Sequence, residues 1–173
     1  MPPKLYVLAL LLMLLDCQRR EADLQSSNSA YPRWVGDIAP DPNLDDPQFR
    51  TCQGEQVYQY FNHSKGLQYK GEKAAIEALF QKQYRPIAAP TATGLIRVRF
   101  IVNCAGKTGR FRLQGMNEHY QAMEFPKAIS DQLLNLCKQL DGWEKQPNAE
   151  APTDYYQYLT FKIEKGALKE ILP

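Results

Sequence analysis

The sequence predicts an α+β domain: a small antiparallel sheet of three to four strands with two helices on one face, preceded by an extended tether. Three observations carry this. Alternation from Leu95 to Cys104 sets Ile96, Val98, Phe100, Val102 and Cys104 against Arg97, Arg99, Ile101 and Asn103, the period of a half-buried strand. Phe125, Ile129, Leu133, Leu136, Cys137 and Leu140 form one apolar stripe at helical spacing. Tyr155 to Ile163 alternates again, with Leu159, Phe161 and Ile163 inward. Strands joined by turns, with helices set apart, suit an antiparallel sheet covered on one side.

The 173 residues are room for one ordinary domain, and 44% hydrophobic against 23% charged residues is enough for a packed core. A net charge of only +2 speaks against a nucleic-acid binder. The charge is uneven, however. From Gln18 to Ser64 four basic residues face seven acidic ones, whereas from Lys65 to Pro173 sixteen basic residues face eleven acidic ones. A mildly acidic leader precedes a mildly basic domain.

The elements follow in order. Leu5 to Leu15 is an unbroken apolar run of 11 residues behind Lys4, shorter than the ~18 a membrane-spanning helix needs but the right size for a signal-peptide core. It stops at Asp16-Cys17, with Arg19, Arg20 and Glu21 beyond. The arrangement resembles a bacterial lipoprotein signal, which implies removal of residues 1–16 and a lipid on Cys17. The alternative is an ordinary signal peptide with Cys17 unmodified. Residues 17–50 show no period of 2 or 3.6. The prolines of Asp37-Ile38-Ala39-Pro40-Asp41-Pro42-Asn43-Leu44-Asp45-Asp46-Pro47 repeatedly remove backbone donors, so this stretch reads as the tether. Residues 51–69 form a docking segment, in which Gln56 to Phe61 is aromatic enough for a short strand.

Glu72 to Tyr84 places Ala75, Ile76, Leu79 and Phe80 on one helical face, and Pro86 enforces the stop. After the Leu95–Cys104 strand, Ala105-Gly106-Lys107 turns the chain. Gly109 to Leu113 returns, with Phe111 and Leu113 inward and Arg110 and Arg112 outward. The Phe125–Leu140 helix starts with Pro126 in its first turn and ends at Asp141-Gly142. Beyond the Tyr155–Ile163 strand, Glu164-Lys165-Gly166 turns the chain and Leu168 to Leu172 offers a further strand.

Catalytic and metal-binding patterns are missing from the sequence. His63 and His119 neighbour no ligand partner at suitable spacing, and no Cys-x-x-Cys pair, nucleophile elbow, phosphate loop or dinucleotide fingerprint occurs. The chain reads as non-enzymatic, without cofactor or metal. Cys137 belongs to the helical stripe, which leaves Cys52 and Cys104 as the first choice for a disulfide, although spacing does not fix connectivity.

From about Lys70 to Ile163 the order of elements resembles the C-terminal domain of the TonB energy-transducer family. The resemblance rests on Gly71-Glu72 opening a helix, on Tyr84-Arg85-Pro86, and on Gly94 to Asn103 running into a glycine turn. It rests also on the second helix ending in Gly142-Trp143, and on Tyr158 to Ile163 as the closing strand. It implies that residues 70–173 are a TonB C-terminal-like domain that binds a protein or peptide partner by adding a strand beside the closing strand. It also implies a place in the envelope of a Gram-negative bacterium, facing the periplasm or cell surface, with the membrane reached through lipid on Cys17. The apolar run is too short to span, and roughly thirty tether residues at about 3.3 Å each reach only on the order of 100 Å. A lipoprotein is therefore expected rather than an energy transducer. The competing readings are an accessory or structural envelope protein and an atypical transducer. A transducer requires a free edge beside Tyr155–Ile163, and the accessory reading requires Leu168–Leu172 to occupy it.

The outward positions of the strands are unusual. Period-two geometry turns Arg97, Arg99, Arg110, Arg112, Tyr156, Tyr158 and Lys162 to one surface. One reading is a solvated face whose arginine stems cover the sheet. The other is a docking surface for something acidic: a lipid headgroup, an anionic glycan, an acidic protein segment, or the chain's own Asp37–Asp46 folded back.

Overall fold

Alternating apolar residues and two amphipathic stripes become one layer of sheet under one layer of helix. The computed structural model describes residues 37–59, 67–145 and 153–172. Its elements, in order, are β1 (Val57–Gln59), α1 (Glu72–Gln83), β2 (Gly94–Val102), β3 (Thr108–Met116), α2 (Lys127–Gln139), β4 (Asp154–Glu164) and β5 (Ala167–Leu172). The signal segment, Cys17 and the tether as far as Gly36 lie outside the described residues.

The fold is α+β, but its sheet differs from the expected one in two respects. Among the described residues it has five strands rather than three or four, and it is mixed rather than purely antiparallel. β2 lies between β3 and β4, antiparallel to both. The far edge of β4 is taken twice: β1 pairs parallel with Asp154–Tyr156, and β5 pairs antiparallel with Thr160–Glu164. The parallel strand was unreadable as such because it is only three residues long and half-buried throughout, with no period to reveal it.

The core lies between the sheet and both helices. Ile76 and Phe80 from α1 and Ile129, Leu133 and Leu136 from α2 close over Ile96, Val98, Phe100, Leu159 and Phe161. Phe80 stacks at 4.9 Å on Phe161, and Trp143 meets the edge of Phe100 at 5.2 Å. α2 begins two residues later than the stripe suggests. Pro126 has extended ψ and caps the helix, so Phe125 enters the core from the preceding loop. β3 is longer than expected and carries a bulge: Arg99 and Ile101, two apart, pair with Arg112 and Gly109, three apart. The extra residue is accommodated at Arg110, which takes a positive φ of 52°.

Residues 37–50, read from sequence as part of an extended tether, pack on the opposite face of the sheet. Ile38 joins Ile101 and Tyr156 in a second small apolar cluster, with Phe49 and Val57 against it. Gly109 permits this approach, since a Cβ there would overlap the Phe49 ring. The burial of Ile38 and Phe49 offsets the ordering entropy of a segment whose composition otherwise favours solvent. We call residues 37–59 the strap.

Candidate functional site

The outer face of the sheet is built in rows by strand register. One row holds Arg112, Arg99 and Tyr158 on β3, β2 and β4, the next Gln114, Arg97 and Thr160. On one side of these rows lie Gly109, Ile101 and Tyr156, under the strap. On the other, Leu95 faces Lys162.

Two of the four arginines are engaged by the strap. Arg112 donates from both terminal nitrogens to the Asp45 carboxylate at 2.6 and 3.0 Å, and from Nη2 to the Ala39 carbonyl at 2.7 Å. Arg110, turned by the bulge, makes a second fork to Glu55 at 2.8 and 3.0 Å. Such paired, parallel hydrogen bonds are the strong form of this contact. They hold the Asp45 and Glu55 carboxyls below their usual pKa, and raise both arginines.

Asp154 joins the strap to the sheet. Its side chain is wholly buried at the start of β4. Oδ2 accepts the Cys52 and Gln53 amides at 2.6 and 3.1 Å, and Oδ1 accepts the Cys104 amide at 2.9 Å. Cys52 and Cys104 are bonded to each other beside it, their Cα atoms 6.1 Å apart. The two sulfurs and the Asp154 carboxylate lie within 4.8 Å of one another, but the sulfurs are spent in the disulfide and the carboxylate on three amides. The trio is a structural knot rather than a vacant ligand set. Cys137 is a buried free thiol in the helical stripe, its pKa pushed up by burial.

The expected partner-binding residues thus separate. Arg110 and Arg112 are committed to the strap. Tyr156 is buried beneath it, and burial and then Asp37 raise its phenol. Lys162 sits a row beyond Arg97, on an exposed stem, 3.4 Å from Glu164. Arg97, Arg99 and Tyr158 remain together outside the strap. Arg97 reaches Thr160 Oγ1 at a long 3.5 Å and lies 5.5 Å over the Tyr158 ring. Arg99 is half-buried, and its pKa is lowered by burial first, then by Arg97 and Arg112; Tyr156 and Asp37 act the other way. A groove of about 390 Å³ opens beside it, lined by Asp37, Pro40, Asp41, Pro42, Arg99 and Arg112. Asp45 lay within the acidic segment that sequence reasoning placed among four candidate occupants. Glu55 and Asp154 were missed, and no periodicity marks either one.

Protein-family models, curated proteins and solved structures, compared in turn, give no match to the chain. Among the described residues no helix is long and apolar enough to cross a membrane.

Proposed function

We propose that the chain is a non-enzymatic cell-envelope lipoprotein whose folded unit binds a protein or peptide partner, without itself transducing energy. The observation that carries the binding reading is the outer sheet face. It takes carboxylates by arginine forks and has two further arginines outside the strap. A half-buried pair of arginines on a rigid sheet suits recognition of an acidic surface. The anchoring part rests on the Lys4, Leu5–Leu15 and Cys17 pattern of the sequence. The TonB-like part rests on the order of elements and the motifs that carry the resemblance.

The state of β4 favours recognition by the face over strand addition beside β4. That edge is occupied by the chain's own strands over Asp154–Tyr156 and Thr160–Glu164. The energy-transducer reading, which needs the edge free, has the least support. Two experiments test the proposal. Cys17→Ala should move the protein from the membrane to the soluble exported fraction; retention in the membrane with an intact N-terminus refutes lipid anchoring. A photocrosslinker in place of exposed Gln114, on the outer face, should capture a discrete envelope protein in intact cells. Capture only from the β5 edge would refute recognition by the face.

A further inference from the structure

We infer that the part of the arginine face outside the strap, at Arg97 and Arg99, docks an extended acidic segment of the partner, with carboxylates on alternate residues. The inference rests on the proposed binding role and names the chemistry of what is bound.

Arg97 and Arg99 are two apart on β2, so they rise from one face about 7 Å apart along the strand. An extended peptide repeats its own same-side side chains at that interval. Laid along β2, it offers one carboxylate to each guanidinium. Arg99 is the position that most lacks a partner. It stands directly opposite Arg112, an arrangement that like charges disfavour. It is half-buried, and among the described residues its guanidinium makes no hydrogen bond. Asp37 offsets its charge through space without bonding it. Its neighbour Arg112 demonstrates the mode of capture, a carboxylate forked from an extended, proline-containing segment. Asp37 and Asp41 line the groove next to Arg99, on the strap side. They repel an acidic segment from the strap and direct it along β2 toward Arg97.

The test is fluorescence anisotropy of the full chain with a labelled synthetic peptide carrying Glu at alternate positions among Ser and Thr. Binding should weaken steeply as salt rises through the range where the Debye length falls below about 8 Å. Arg97→Gln with Arg99→Gln should weaken it at least about tenfold, since charge-assisted pairs are lost. Lys127→Gln, on α2, should not change it. Arg99→Gln alone should leave the denaturation midpoint unchanged or raise it, because it removes a like-charge contact; a lowered midpoint would assign Arg99 to the fold and overturn the inference. Equal binding of a peptide with the same glutamates in one block would overturn the alternate-carboxylate pattern. Equal Arg-dependent binding of inorganic phosphate, or of vesicles containing anionic lipid, would overturn the peptide assignment. If the peptide fails to bind while the Gln114 crosslinker still captures a protein, this inference falls and the binding role stands.

Discussion

Asp154→Asn tests the knot that holds the strap to the sheet. The native carboxylate has no exposure and accepts three backbone amides, two on Oδ2 and one on Oδ1. An asparagine has one acceptor oxygen and an NH₂ group. In the better orientation the oxygen keeps the Cys52 and Gln53 amides, and the NH₂ is forced against the Cys104 amide. One buried N–H then loses its acceptor, at about 1–3 kcal/mol, and the two surviving bonds lose the strength of an ionised acceptor. The expected loss is about 2–4 kcal/mol. A denaturant titration with the disulfide intact should show a lower midpoint at unchanged slope. Hydrogen exchange should speed up first at the Cys104 amide. Asp154→Ala orphans all three amides and should cost at least as much. A loss below about 0.5 kcal/mol for Asp154→Asn would mean that the three amides find other partners, and that the strap is not held here.

Three further outcomes are expected. Replacing Cys52 and Cys104 together by Ser opens a loop with a sequence separation of 52, and chain entropy sets the loss at roughly 4 kcal/mol; a titration showing less than about 1 would contradict that account. Leu133→Ala, at a fully buried position in the core, should cost about 2–5 kcal/mol, and near-neutrality would move the α2 stripe off the core. The Asp45 carboxyl has a depressed pKa, so the Arg112 fork contributes fully above the ordinary value of 3.8 and is lost as pH falls through the lowered one. Asp45→Asn should therefore cost about 1 kcal/mol near neutrality and remove part of the acid-side loss of stability; parallel pH profiles for the two proteins would count against the fork.

The regular elements were legible because each is long enough to show its period. α2 and β2 could be read from single stripes, and β5 from its turn and apolar spacing. β3 was read only from Gly109 to Leu113 because the next inward position, opposite Ile96, is Gly115, which has no side chain to continue the alternation. β1 falls within the Gln56–Phe61 stretch read as a short strand, but its parallel pairing carries no signal because the partner strand lies some hundred residues on. Its position is fixed by the disulfide and by Asp154, contacts with no local signature. The strap is the instructive case. Asp and Pro in succession look solvated until alternation has placed arginines on one face to receive them. Parity set Tyr156 outward correctly, but only Ile38 and Phe49 decide that it is covered.

The double closure of β4 bears on how a partner is recognised. Adding a strand beside β4 would require displacing β5 or β1. Ile171 of β5 is almost fully buried and Leu168 packs against the same core. Exposing one such aliphatic side chain costs about 1.5–3 kcal/mol. Each backbone hydrogen bond to an incoming strand contributes only about 0.5–1.5 kcal/mol net, and those bonds merely replace the ones β5 already makes. Exchange at this edge therefore starts at a deficit that the incoming strand's own side chains must overcome. The outer face has no such deficit. Arg97 and Arg99 stand beside a strap whose acids have taken the other two arginines, and pairing them disturbs no core contact. Recognition through the face leaves the fold intact and relieves the one row in which guanidiniums confront each other.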